Sequence, residues 1–176
     1  MNWLAIKEQA DLIRGKATTY PKRWFHEAKN LLTNMYMSAC KFQDTAIDVS
    51  DTTISYPLIV GTKHVKQVRD DSGMPVLLFN VDILAGNIRF VYTGTYTVTC
   101  ALETSNIAGA DGEIPEINAA YHYAMAKYIA AKEMEYVRPE RSEKLMAEFY
   151  GEIVQANKSI TTGRKGRIVM PSRRSY

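Results

Sequence analysis

The chain has 176 residues, of which 46% are apolar and 23% charged, so it can bury a core and is not disordered throughout. No apolar run approaches the roughly 20 residues that cross a bilayer, and residues 1–12 lack the apolar core of a signal peptide. The two cysteines, Cys40 and Cys100, lie far apart in apolar settings, which favours reduced thiols over a disulfide. We therefore expect one domain with no membrane-spanning segment.

The net charge of +3 is concentrated near the C-terminus. Residues 159–176 contain five basic residues and no acidic one, which leaves 17 basic and 19 acidic residues in the rest of the chain, a net charge of −2. This segment could be a solvated end, a nucleic-acid-binding arm or an arm that docks on a partner protein. The apolar run Ile168–Met170 inside it favours docking, by filling a groove or adding a strand to an exposed sheet edge.

Two helices are predicted at the start of the chain. Apolar residues at helical spacing indicate a first helix from Asn2 to Arg14, and Gly15 suits the left-handed conformation that ends a helix. A second helix is predicted from Pro21 to about Phe42, because proline fits a first helical turn and the apolar spacing continues to Phe42. Thr18 or Thr19 is the expected capping residue of that helix.

The middle of the chain has the composition of a small antiparallel sheet. Short runs of β-branched and aromatic residues alternate with turn residues, and they predict strands near 54–60, 63–69, 76–81, 88–92 and 95–102. In the last strand Tyr96, Val98 and Cys100 alternate with threonines, as expected for a half-buried strand. Residues 70–73 and 86–87 are predicted hairpin turns. Such a sheet needs cover for its apolar face, and we expect the helices on either side to provide it.

The most regular helical pattern lies in residues 115–158. It predicts two antiparallel helices of which the first begins near Pro115, and the sequence Val137-Arg138-Pro139 interrupts the pattern between them. Beyond Lys158 the pattern stops, and Thr161, Thr162 and Gly163 make a helix there unlikely by composition.

These elements predict the α+β class. The expected architecture is a helical bundle built on a long C-terminal antiparallel helical hairpin, with an inserted small antiparallel β-meander and an extended C-terminal tail. The expected units are N-terminal helices at 1–43, the β-meander at 44–104, the hairpin at 105–158 and a basic arm at 159–176. The hairpin and the N-terminal helices are expected to form one domain.

No recognised catalytic, cofactor or metal motif is present. The chain contains no HExxH, CxxC, GxSxG or Walker-type sequence, and its histidines, His26, His64 and His122, are isolated. The pair Asp70-Asp71 is better explained by turn formation than by acid–base catalysis. We therefore predict no catalytic, cofactor-binding or metal-binding residue, and a protein that is not an enzyme.

Tyrosines are concentrated in the predicted hairpin. They are too many to face one narrow core stripe, and tyrosine is favoured at protein interfaces. The sequence therefore predicts oligomer contacts, rather than ragged hairpin edges alone, at Tyr121, Tyr123, Tyr128, Tyr136 and Tyr150.

The order of the segments resembles a known family. A helical N-terminus is followed by a β-insert ending in NIRFVYTGTYTVTC, a loop into IPEINAAYHYAMAKYIAAKEME, a proline break, PERSEKLMAEFYGEI and a basic tail. This order resembles the head–tail adaptor, or connector, proteins of tailed bacteriophages, especially the tail tubular protein A and gatekeeper-type adaptors of short-tailed phages. The resemblance covers the chain from about residue 57 to the end and depends on element order, not on an invariant motif.

The resemblance implies a structural virion protein that forms a homo-oligomeric ring, typically of twelve copies, beneath the portal. The ring connects capsid to tail at the capsid vertex, is assembled in the host cytoplasm, contacts the next tail or nozzle component, and lines a channel for genome DNA without sequence-specific binding. By this resemblance the portal-docking arm comprises Arg164, Lys165, Arg167, Ile168, Val169, Met170, Pro171, Arg173, Arg174 and Tyr176. The alternative hypothesis is a small nucleic-acid-binding protein that uses the same basic tail.

Overall fold

The computed structural model describes residues 1–163. Its α-helices are α1 Trp3–Arg14, α2 Pro21–Met35, α3 His122–Met134 and α4 Pro139–Gly163. Its strands are β1 Lys41–Val49, β2 Tyr56–Pro57, β3 Thr62–Asp70, β4 Phe79–Asp82, β5 Asn87–Phe90 and β6 Gly94–Leu102. The mixed α+β class agrees with the sequence, but the expected arrangement of helices and strands is wrong.

Helix α1 has the boundaries that its sequence predicts. The Asn2 side chain accepts a hydrogen bond from the Ala5 backbone N–H at 2.9 Å, which caps the first turn. Gly15 ends the helix with φ of 77°, a left-handed conformation that residues with a Cβ rarely adopt. The prediction for α1 is therefore confirmed, and its buried side chains, Trp3, Ile6 and Ala10, face the helical core.

Helix α2 begins at Pro21, as predicted, but ends seven residues earlier than expected. Tyr36 has an extended backbone, a short 3-10 turn follows at Met37–Ala39, and the chain then enters β1 at Lys41. The apolar side chains at helical spacing beyond residue 35 misled the prediction, because the pairing of β1 with β6 fixes this segment as a strand. The expected threonine cap of α2 is also absent, since its N-cap residue Tyr20 makes no side-chain cap bond.

The strands form two three-stranded antiparallel sheets instead of one meander. The first sheet has the order β1-β6-β3, and the second has the order β2-β5-β4. In β6, Tyr96, Val98 and Cys100 are buried as predicted, while the turns at Gly73 and Gly86 have the positive φ values of tight turns. The β part spans residues 41–102, and its long strand β1 is an element that the sequence did not predict.

The two sheets cover each other. Their inward side chains form one buried cluster, distinct from the helical cluster: Ile47, Val49, Leu58, Val68, Ile88, Phe90, Tyr96, Val98, Cys100 and Leu102. The rings of Phe90 and Tyr96 stack across this cluster with centroids 4.4 Å apart. The expectation that helices cover the sheet is therefore wrong, because the second sheet supplies the apolar surface.

The predicted long C-terminal hairpin is wrong, because α3 is a short central helix. Residues 115–118 precede a 3-10 turn at Ala119–Tyr121, and α3 then has only 13 residues. Most of its side chains are buried, and it packs against α1 and α2 as well as α4. Its alanines, including Ala124, Ala126 and Ala130, let these helices approach closely. The burial of most of its side chains against several helices makes α3 the central helix.

Helix α4 is longer than predicted. It begins at Pro139, where the sequence places it, but it continues through Thr161 and Thr162 to Gly163. Its apolar side chains Leu145, Phe149 and Ile153 are buried against the other helices. The expectation that the helix ends at Lys158 is thus wrong, and the predicted portal-docking residues 164–176 lie outside the described part of the chain.

The loop after β6 joins the helical and β parts through charged side chains. Lys29 of α2 is 2% exposed, and its Nζ donates to the Thr104 carbonyl at 2.8 Å and to Asn106 Oδ1 at 2.7 Å. Glu116 accepts a hydrogen bond from the Ser105 backbone N–H at 2.8 Å and pairs with Lys41 of β1 at 2.9 Å. These contacts hold the loop after β6 to α2 and to the start of β1.

Substitution of Phe149 tests how much the helical core contributes to stability. Its side chain is fully buried, with ring centroids 4.9 Å from Tyr128 and 5.1 Å from Tyr150. We expect Phe149→Ala to lower the free energy of unfolding by about 3–5 kcal/mol, because it removes a large apolar side chain and leaves a cavity. Urea denaturation followed by circular dichroism measures this. Tyr136→Ala, at a side chain that is 93% exposed, is the control and should change stability by less than about 0.5 kcal/mol.

Glu116 makes stability depend on acid pH. The Ser105 N–H and Lys41 lower its pKa from the ordinary 4.5 to about 2. The folded carboxylate therefore holds its proton less tightly than the unfolded one, so its contribution is complete above pH 4.5 and is lost as the pH falls towards 2. We expect the urea midpoint to fall less between pH 5 and pH 3 in Glu116→Gln than in wild type. Equal decreases would exclude this role.

Candidate interaction surfaces

A buried carboxylate connects three helices at one end of the helical part. Glu133 of α3 accepts hydrogen bonds from the backbone N–H groups of Thr19 at 3.0 Å and Tyr20 at 2.7 Å. It also accepts one from the Trp24 indole at 2.9 Å and pairs with Arg14 at 3.3 Å. Glu133 thus fixes the two residues that lead into α2, whose N-cap residue Tyr20 makes no side-chain cap bond.

The surroundings of Glu133 keep it ionised. Burial pushes its pKa up, but hydrogen bonds from Thr19, Tyr20 and Trp24 and the charge of Arg14 outweigh that effect, so the pKa lies below its ordinary value. The side chain is only 4% exposed, so it has no surface left for a ligand. Its function in this structure is to position the residues around it.

Around this anchor lies an open groove of about 400 Å³, which we name the helix-end surface. Its lining includes two cations that approach the Trp24 ring, with Arg23 at 4.7 Å and Lys132 at 5.5 Å from the ring centre. Tyr20 and Tyr136 are 60% and 93% exposed at its margin. Aromatic rings and arginine are the residue types enriched at protein interfaces.

A second exposed surface lies in the β part and consists of aliphatic residues. The segments 74–78 and 83–84, named here the apolar loops, precede and follow β4. Leu77 and Leu84 are 86% and 102% exposed, and Met74, Leu78 and Ile83 are also exposed. Exposed apolar side chains of this size at both ends of β4 are candidates for contacts with another protein.

The structure separates the five predicted contact tyrosines into two groups. Tyr121 and Tyr128 are buried, with Tyr121 OH 2.6 Å from Ser38 Oγ and Tyr128 OH donating to Glu27. These two belong to the core of the chain, so the fold leaves neither ring available to a neighbouring subunit. The other three tyrosines are exposed: Tyr123 at 42%, Tyr136 at 93% and Tyr150 at 43%.

Within residues 1–163 no group of three or more His, Cys, Asp or Glu side chains is arranged to hold a metal ion. His122 is 1% exposed, its Nε2 lies 3.0 Å from the Ile117 carbonyl, and burial lowers its pKa. Both cysteines are buried, unpaired thiols. No helix in the same residues combines the length and apolar character needed to span a bilayer.

Comparisons with known proteins do not assign the chain to a family. No protein-family model matches the sequence, and no curated protein has significant similarity to it.

Sequence reasoning missed the most important residues of both surfaces. Glu133 has the spacing of an ordinary surface residue of a helix, and only the fold brings it to the start of α2. Leu77 lies in a predicted strand, 76–81, but it precedes β4 and is exposed, and Leu84, between two predicted strands, is exposed as well. A usable signal was present for Leu84, since Gly86 marks the turn in which it lies.

Glu133→Gln tests the anchor of the helix-end surface. The amide has one acceptor oxygen, so it cannot satisfy the Thr19, Tyr20 and Trp24 donors together, and it loses the pairing with Arg14. We expect the free energy of unfolding to fall by about 1–3 kcal/mol in urea denaturation. The control is Glu135→Gln, whose side chain is 44% exposed and should cost less than about 0.5 kcal/mol. Similar small effects of both changes would contradict the anchoring role.

Proposed function

We propose that this chain is a structural assembly protein of a tailed bacteriophage, the adaptor that connects the capsid portal to the tail. In this proposal several copies form a ring beneath the portal, and the ring surrounds the path of the genome. The basic arm, residues 164–176, docks on the portal. The order helix, helix, strands, helix, helix and basic tail supports the proposal, because this order carries the resemblance to connector proteins.

The exposure of the apolar loops is the structural observation that most strongly supports this proposal. Leu77 and Leu84 are almost fully accessible in the single chain, which leaves apolar surface in water. Burying such a side chain is worth about 1.5–3 kcal/mol, so a subunit contact that covers both leucines would gain substantially. An assembly protein has a use for this surface that a monomeric binding domain does not.

A ring of identical subunits needs two different surfaces on each subunit, because the contact runs head to tail. The apolar loops supply an aliphatic surface on the β part, and the helix-end surface supplies an aromatic and cationic one on the helices. The exposed Tyr136 lies at the helix-end surface, so the predicted oligomer contact at Tyr136 remains part of the proposal. Two surfaces of unlike chemistry meet the requirement of a head-to-tail contact.

The sequence also supports the alternative that the arm binds nucleic acid. Its five basic residues would neutralise phosphates, and such binding weakens steeply with salt. The rest of the chain has a net charge of −2, which disfavours a second contact with DNA. We therefore place the portal first as the partner of the arm and DNA second.

Two measurements test ring formation. We expect wild-type protein to form larger species as its concentration rises in mass photometry, and rings in negative-stain electron microscopy. The double variant Leu77→Ser/Leu84→Ser should lose these species while keeping the wild-type circular dichroism spectrum. Ile114→Ser, at an aliphatic side chain that is 73% exposed in a helical-part loop, is the matched control and should still assemble. Rings in the double variant would refute the role of the apolar loops.

Mixing the purified protein with a portal protein tests whether the arm docks on the portal. Full-length protein mixed with the portal protein encoded in the same genome should add a second coaxial ring, whereas Arg164→Glu/Lys165→Glu/Arg167→Glu should not. If neither form binds portal, and the wild type instead coats DNA in a salt-sensitive manner, the nucleic-acid function replaces the adaptor function.

A further inference from the structure

Strand β1 is the edge strand of the first sheet. In the order β1-β6-β3, β1 hydrogen-bonds to β6 along its whole length from Lys41 to Val49. Within residues 1–163 no strand pairs with its other side. A nine-residue edge of this kind presents backbone N–H and C=O groups to any extended segment that reaches it, and proteins normally cover or charge such edges.

One contact of α4 places this helix beside the residues that lead into β1. Near the end of α4, the Asn157 Oδ1 accepts a hydrogen bond from Ser38 Oγ at 2.8 Å, and Ser38 lies three residues before β1. The 13 residues after Gly163 can extend over about 43 Å, whereas β1 is about 30 Å long. The arm is therefore long enough to lie along the edge of its own chain.

The charges of the edge and the arm are complementary. Asp44 and Asp48 of β1 are exposed, and neither forms an ion pair with any residue in the described part of the chain. The arm has five basic residues and no acidic one, and Ile168–Met170 has the composition of a short strand. By contrast β3, the other edge of this sheet, carries Lys63, Lys66 and Arg69, which would repel the arm.

We propose that the arm of each free subunit binds along the outer edge of its own β1, with Ile168–Met170 beside residues 43–48 and the basic residues facing Asp44 and Asp48. This contact adds a strand to the sheet through main-chain hydrogen bonds and closes its open edge. It goes beyond the proposed function, because it concerns the subunit before any partner binds. A partner that captures the arm must then compete with β1, so the arm is released only where a better surface is present.

Disulfide trapping tests this position in the full chain. Ala46 of β1 is exposed. Three double variants combine Ala46→Cys with Ile168→Cys, Val169→Cys or Met170→Cys, and at least one of them should form an intramolecular disulfide. The native Cys40 and Cys100 are buried, so they do not compete. Lys66→Cys on β3, combined with the same arm positions, is the matched control and should cross-link about tenfold less. Equal yields at both edges, or cross-links found only in dimers, would overturn the proposal.

Hydrogen exchange gives an independent readout. Compared with wild type, the amides of residues 43–48 should exchange about tenfold faster in the variant Asp44→Lys/Asp48→Lys. The arm variant Arg164→Glu/Lys165→Glu/Arg167→Glu should show the same increase. A variant that carries both sets of substitutions exchanges the signs of the charges on β1 and the arm, so it should restore the slow exchange of residues 43–48. The amides of β6 serve as the internal reference. Unchanged exchange in both variants would reject the contact without touching the adaptor function, which ring formation and portal binding test separately.

Discussion

The arrangement of the helices depends on one buried carboxylate. Glu133 lies on α3, the central helix, and its oxygens accept from the backbone N–H groups just before α2 and pair with the guanidinium at the end of α1. A charge that is 4% exposed is stable only when such partners surround it. The same carboxylate fixes the Trp24 indole, which lines the helix-end surface.

Within residues 1–163 the helical part and the β part bury their apolar side chains separately. The helical cluster contains α3 at its centre, and the β cluster lies between two small sheets that cover each other. Because each part buries its own apolar side chains, the outer faces and loops of the β part are free to serve other purposes. Lys29 and Glu116 hold the two parts together through the loop after β6. This division explains how a small chain can expose leucines and remain folded.

In the proposed assembly, the subunits contact one another through surfaces that are not buried when the chain folds. The apolar loops and the helix-end surface are exposed, the outer edge of β1 pairs with no strand within residues 1–163, and the three differ in chemistry. The arm could be proposed as a docking segment from sequence, because charge and composition are local properties. The apolar loops, the helix-end surface and the β1 edge could not, because exposure and strand order depend on residues that are distant in the chain. Among the tyrosines, sequence could not separate buried Tyr121 and Tyr128 from exposed Tyr136 for the same reason.

The sequence by itself determined the features that local backbone chemistry controls. Gly15, Pro21 and Pro139 set helix boundaries because they restrict φ or lack an N–H, and alternation set the inward face of β6. Only the tertiary structure decided that α3 is central, that residues 41–49 form a strand, and that two sheets replace one meander. These outcomes depend on pairing and burial against segments far away in the chain, and a local pattern of apolar residues does not specify its partner.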